Sequence, residues 1–181
     1  MHDRSLLIKG AGGDNKAIRQ LWDIWSPKIS IFLRGSVPSG DMDDLTQEIM
    51  LKIFRSLASY NPVFAPSTWI YTIAGRTRTD WQRQQSKFLK SESENPDSEE
   101  MISLIPGPYE GPEAQYIRLE SEKRVDDFLQ RQNVRDRKIL FLYCHEGLSG
   151  RAIARVLMTP AETIRYRLKI LKAKLKEEML L

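Results

Sequence analysis

The chain of 181 residues is poor in the side chains from which many active sites are built. Its single cysteine, Cys144, excludes an internal disulfide framework and a zinc cluster made of cysteines. Its two histidines, His2 and His145, fall in an N-terminal tail and at a helix end, and "CHEG" at 144–147 reads as that helix end, not as a metal site. No apolar run approaches the roughly 20 residues that span a bilayer. The apolar stretch of "MHDRSLLIKGAGGD" is far too short for a signal peptide. A reducing, cytoplasmic setting without membrane insertion is the expectation. No nucleophile lies beside a base, and neither a metal cluster nor a phosphate-cradling loop is evident. The chain is thus expected to need no cofactor and to catalyse no reaction of its own. No strand-like alternation is evident either, so the expected fold class is all-α.

What is present is charge, and it is unevenly spread. Hydrophobic residues make up 41% and charged residues 29%, as in a folded, soluble helical protein. Residues 1–85 hold 11 basic and 8 acidic side chains, residues 86–117 hold 2 and 7, and residues 118–181 hold 15 and 9. Two basic blocks therefore flank an acidic one. The acidic stretch also carries Pro96, Pro106, Pro108 and Pro112 and has no apolar period, so it reads as a flexible linker. Two small helical domains, 1–85 and 113–181, joined by an acidic linker at 86–112, are expected. Basic folded ends suit a polyanionic partner, or serve solubility alone.

In the N-terminal block Asp14 can cap a helix with Ala17, Ile18, Leu21, Trp22 and Trp25 on one face. Ser26-Pro27 reads as a new cap and first turn, leading a second segment to Arg34. After the turn "GSVPSGD", Asp41 is expected to cap a helix to about Ala58. Its apolar half holds Met42, Leu45, Thr46, Ile49, Met50, Ile53, Phe54 and Leu57. The opposite half is polar except for Leu51, which lies among Asp44, Gln47 and Glu48. The loop "SYNPVFAPS" follows, and Ser67 or Thr68 begins a last helix through Gln85. That helix buries Ile70, Ile73, Ala74, Thr77 and Trp81. Trp69, Thr72, Arg76, Asp80 and Arg83 share another face, suited to DNA bases and phosphates, and Tyr60, Asn61 and Phe64 stand in the loop before it. Trp69 as core, with the arginines simply solvated, is the competing reading.

The C-terminal block predicts helices from Glu113 to about Arg131 and from Val134 to about His145, the second stopped by Gly147. Ser149 caps a short helix, "MTP" breaks it, and Thr159 caps the next, with Pro160 in its first position. Ile164, Leu168, Leu171 and Leu175 form the core stripe of that helix. Glu162, Arg165, Tyr166, Lys169, Lys172 and Lys176 lie opposite. A short helix, a three-residue turn and a basic second helix describe a helix-turn-helix, in which arginine can hold guanine in a bidentate contact. A helical hairpin with a solvated lysine face is the alternative.

Here the residues carry a resemblance, in the order and spacing of four segments. "GDNKAIRQLWDIWSPKI", "DDLTQEIMLKIFRSL", "FAPSTWIYTIAGRTRTDWQRQ" and "GLSGRAIARVLMTPAETIRYRLKILKAKL" resemble the successive motifs of a bacterial RNA polymerase sigma factor of the small, two-domain extracytoplasmic-function group. The resemblance implies an initiation factor that binds core RNA polymerase and directs it to promoters. Asp44, Gln47, Glu48 and Leu51 then stand where the family meets the basic clamp helices of the largest subunit, and the beta flap is a further implied contact. Tyr60, Asn61, Phe64, Trp69, Arg76, Asp80 and Arg83 stand at the minus-ten element. Arg151, Glu162, Thr163, Arg165, Tyr166, Arg167 and Lys169 stand at the minus-thirty-five element. An anti-sigma factor is an implied partner, and the acidic linker resembles the segment threaded toward the RNA exit channel.

The pattern departs from the family at three places. Met158 occupies a turn position usually held by glycine, which requires a left-handed backbone or a shifted turn. Gly75-Arg76 replaces a frequent Arg-Asn, and Tyr166 is bulkier than usual. Two other classes stay open: a plain helix-turn-helix regulator that never touches polymerase, and a DNA-processing enzyme. The first leaves the patch around Leu51 unexplained, and the second lacks its paired carboxylates or nucleophile.

Overall fold

The computed structural model describes residues 2–88 and 127–180, and every regular element among them is helical. The expected tail is helix α1, His2–Ala11, which buries Leu6 and Leu7. It ends at Gly12-Gly13, where Gly13 takes φ +85, and its Gly10 lies close against Ile18, Leu21 and Leu57. Leu6 and Leu7 are adjacent in sequence, too short a pattern to register as a helical period.

Helix α2 runs without interruption over Asn15–Leu33. Asp14 caps it as expected, its carboxylate accepting from the backbone of Lys16 at 2.8 Å and of Ala17 at 3.2 Å. Pro27 does not start a new helix; it lies inside α2. Asp23, whose carbonyl loses its donor to the proline, is exposed, as is Pro27, so water can take the missing bond.

Helix α3 spans Ser39–Arg55 and starts earlier than Asp41 would dictate. Pro38 is the N-cap and makes no side-chain cap bond; Asp41 stands in the first turn, where it complements the helix dipole. A 3-10 turn, Leu57–Ser59, closes this segment. Helix α4, Pro66–Phe88, begins at the proline and runs beyond Gln85 into the stretch expected to be linker. The rest of the expected linker, and the helix expected from Glu113 up to residue 126, lie outside the described residues.

In the C-terminal part, Asn133 caps α5, Val134–Leu140. The chain then widens into a single π-type turn, Phe141–His145, and stops at Gly147, φ +66. Ser149 caps α6, Gly150–Val156, by accepting from the backbone of Ala152 at 3.3 Å. Helix α7, Ala161–Leu180, completes the order. Thr159 does not cap it: its hydroxyl donates to the Leu157 carbonyl at 3.1 Å and accepts from Arg135 at 3.0 Å. Met158 takes φ +48, the left-handed geometry its position demanded.

One continuous apolar core links both halves of the chain. Trp25, Phe32, Ile49, Met50, Ile70 and Tyr71 are fully buried on the N-terminal side; Ile139, Leu142, Ile153, Val156 and Ile164 are their counterparts on the C-terminal side. Each such side chain contributes about 1.5–3 kcal/mol through loss of water contact. Tyr71 is the joint: its ring lies 5.6 Å from Trp25, 5.3 Å from Phe32 and 6.1 Å from Phe141. Helix α4 thus buries more than the single stripe read from its period. Ile70, Ala74 and Thr77 are buried as expected and Ile73 and Trp81 are half-buried, but Tyr71 and Gly75 are covered as well.

Candidate protein-docking and nucleic-acid interfaces

The α3 patch survives folding intact. Asp44, Gln47, Glu48 and Leu51 are all exposed, Leu51 at 44%. Behind them Leu45, Thr46, Ile49 and Met50 are buried, so the patch rides on a helix fixed by its opposite face. Glu48 pairs with Lys52 at 2.7 Å, a bond between exposed groups that contributes little to stability and is readily exchanged for another cation.

The loop before α4 is more committed than its sequence suggests. Tyr60 is buried, its hydroxyl donates to the Phe64 carbonyl at 2.8 Å, and its ring lies 5.2 Å from Trp69. Asn61 accepts from the backbone of Val63 at 3.0 Å. These bonds shape the loop and leave Phe64 (45% exposed) and Val63 (83%) on the surface. Phe64 therefore keeps a partly exposed ring, Trp69 is half-buried, and Tyr60 supports them from below. Arg76, Asp80 and Arg83 are exposed along α4, Asp80 and Arg83 lying 3.7 Å apart.

On the helix-turn-helix, a groove of about 660 Å³ opens between the start of α6 and α7. Ser149, Gly150, Arg151, Arg165, Lys169 and Lys172 line it, giving four cations around one concavity. Glu162 and Arg165 pair at 2.8 Å, while Thr163 and Tyr166 stand exposed. Arg167 differs from its neighbours. It turns inward and grips Asp136 through two bonds, at 3.0 and 2.5 Å. Position 167 sits beside Ile164, Leu168 and Leu171 on the helix, so the arginine ties α7 to α5 and is not presented to a groove. Asp136 is 4% exposed and also accepts from the Asn133 amide at 3.0 Å.

Three ionisable groups are displaced between the two halves. Burial lowers the Arg78 guanidinium from its usual value. Burial, then the nearby cations of Arg78 and Arg137, push the Lys138 ammonium well below the usual lysine range. Burial, then the negative charge of Glu146, hold the Tyr71 phenol far above its ordinary value. At the surface end of the π-type turn, burial raises the Cys144 thiol, and Lys172 works the other way. No group of three or more metal-ligating side chains occurs among the described residues. No helix there is long and apolar enough to cross a membrane.

Residues 23–88, which hold most of α2 and all of α3 and α4, match the family Sigma-70 region 2. The similarity reaches well past that module. The ECF RNA polymerase sigma-E factor of Haemophilus influenzae is 27% identical over 172 residues, which cover 92% of this chain and 89% of the relative. That of Escherichia coli K12 is 29% identical over 174 residues, covering 92% and 88%. Over nine-tenths of its length the chain is similar to extracytoplasmic-function sigma factors. Solved structures agree on the fold: CnrH, in complex with the cytosolic domain of CnrY, matches 99% of this chain at a TM-score of 0.58 and 20% identity. The Bartonella quintana sigma factor RpoE, in complex with the anti-sigma factor NepR, matches 92% of it, also at 0.58, with 17% identity.

Sequence reasoning missed Arg155, Lys138 and Tyr71, all at the contact between the halves. Their spacing carries no signal, because each answers to a residue more than 60 positions away.

Proposed function

We propose that this chain is an extracytoplasmic-function sigma factor that binds core RNA polymerase, directs it to promoters and traps melted DNA, and is itself held by an anti-sigma factor. The observation that carries the reading is the α3 patch. Three polar side chains ring an exposed leucine on a helix within the region matched to Sigma-70 region 2. A solvated helix face gains nothing from that leucine, whereas a protein interface needs an apolar centre inside a polar rim. Asp44 and Glu48 suit basic clamp helices of the largest subunit, with the beta flap as a second contact. The N-terminal and C-terminal parts divide the promoter. Phe64, Trp69, Arg76, Asp80 and Arg83 serve the minus-ten element, where flipping a base costs a few kcal/mol that stacking must offset. Arg151, Glu162, Thr163, Arg165, Tyr166 and Lys169 serve the minus-thirty-five element, reading base edges and phosphates. Anti-sigma control is suggested by a fold neighbour, the Bartonella quintana sigma factor RpoE, solved with the anti-sigma factor NepR.

The test is Leu51→Asp, on a helix whose buried face it does not touch. Core polymerase should lose about tenfold or more in affinity for the variant, as for a central interface residue, and run-off transcription should fall with it. Wild-type binding and transcription by the variant would refute the assignment. A chain that binds promoter DNA but never core polymerase would instead be a plain helix-turn-helix regulator.

A further inference from the structure

The two halves meet at a seam that covers part of the minus-ten face. Val156, the last residue of α6, stands four residues before Pro160, which has no N–H to offer its carbonyl. That carbonyl is instead laid against Gly75 in the middle of α4. A Cβ built on Gly75 would lie inside the van der Waals envelope of the Val156 oxygen. The approach is so close that glycine alone fits, in a helix where glycine is otherwise unfavourable. One residue earlier, Arg155 reaches across with its guanidinium 6.0 Å from the centre of the Phe64 ring. Arg155 and Phe64, with Thr68, Trp69, Thr72 and Arg76, line a half-open pocket of about 230 Å³. Farther along the seam Lys28 pairs with Glu146 at 3.4 Å, and Lys138 bonds the Ser36 hydroxyl with its ammonium 5.3 Å from the Phe32 ring.

We propose that the helix-turn-helix acts as a built-in plug of the minus-ten pocket: α6 seats its last carbonyl on Gly75 and holds the Arg155 cation over Phe64, where an unpaired base would stack. The inference rests on the minus-ten assignment above and adds its regulation. Guanidinium and base compete for the same aromatic face, since both bind it through stacking and charge–quadrupole attraction. The plug is selective. Asp44, Gln47, Glu48 and Leu51 stay exposed, as do Arg165, Tyr166 and Lys169. The closed chain therefore keeps its polymerase patch and its recognition helix available while the base pocket is occupied.

The full chain carrying Cys144→Ser, Lys16→Cys and Glu177→Cys, labelled with a donor–acceptor dye pair, reports closure directly. Gly75→Ala suits an α-helix, so α4 keeps forming; the new methyl group can only oppose the seam. The closed fraction should fall roughly tenfold relative to open, the scale of an overpacked contact, and energy transfer should drop. Arg155→Ala should loosen the seam less but empty the pocket. With core polymerase present, both variants should bind a mixed-sequence premelted bubble template at severalfold lower DNA concentration than wild type. Unchanged energy transfer in Gly75→Ala would overturn the closed seam. An open Gly75→Ala chain with wild-type bubble binding would overturn its inhibitory role. Failure of every form, wild type included, to bind core polymerase would instead strike the functional reading, while the dye pair still reports the seam.

Discussion

Arg167→Ala separates a structural arginine from a DNA-reading one. The side chain lies on α7 among residues proposed to contact the promoter, yet both of its bonds go to Asp136 on α5. Removing one partner of a buried ion pair typically costs 3–5 kcal/mol, because the other charge is left without compensation. Asp136 is 5% exposed at its side chain but Arg167 is 36% exposed, so solvent screens part of the attraction. Asp136 also keeps the Asn133 amide and its place at the start of α5. A loss of about 2–3 kcal/mol is the expectation for Arg167→Ala. For a 181-residue chain with one continuous core that corresponds to a fall in Tm of roughly 4–12 °C. Thermal unfolding followed by circular dichroism measures it. Arg167→Lys should recover less than half, since an ammonium cannot reproduce the two-bond fork. Asp136→Ala combined with Arg167→Ala should be more stable than the summed losses allow, revealing the coupling. Unfolding identical to wild type, with uniformly weakened promoter binding, would refute this account and return Arg167 to the DNA face.

Two further outcomes follow from the backbone and from burial. Met158→Gly relieves a left-handed residue at φ +48 and should stabilise the chain by about 1 kcal/mol, read as a shift in denaturant midpoint; a destabilised variant would show that Met158 earns its place through packing. Lys138 has a folded-state value below its unfolded one, with Arg78 of α4, Arg137 of its own helix, the Ser36 hydroxyl and the Phe32 ring facing it. The unfolded chain then binds more protons over the interval between the two values, so stability rises with pH there. It is fully gained above the ordinary lysine value and lost as pH falls through the folded one. Denaturant midpoints from pH 7 to 10 should climb in wild type relative to Lys138→Met, and parallel profiles would refute the buried cation.

The local chemistry of the chain is written in its sequence. Asp14 and Ser149 cap the helices they precede, because a cap needs an acceptor only two or three residues from the amides it serves. Gly147 stops its helix for an equally local reason, and Met158 was marked by its place in a tight turn. The Leu51 patch was legible too: one apolar side chain on a polar face is a matter of helical period alone. Where a local rule failed, a second local fact usually outweighed it. Pro27 entered α2 because its lost bond faces water, and Pro38 displaced Asp41 as the cap of α3.

What tertiary structure alone decided is which groups face across the molecule. Tyr60 and Arg167 looked like DNA contacts from their positions, but one hydroxyl is consumed by Phe64 and one guanidinium by Asp136. Gly75 was only an anomaly in a helix until Val156 arrived on top of it, 81 positions later in the chain. Period and capping act over one or two turns of helix, so a single sequence encodes them in plain view. Contacts between distant segments depend on how two surfaces fit, and no spacing within either segment records that fit.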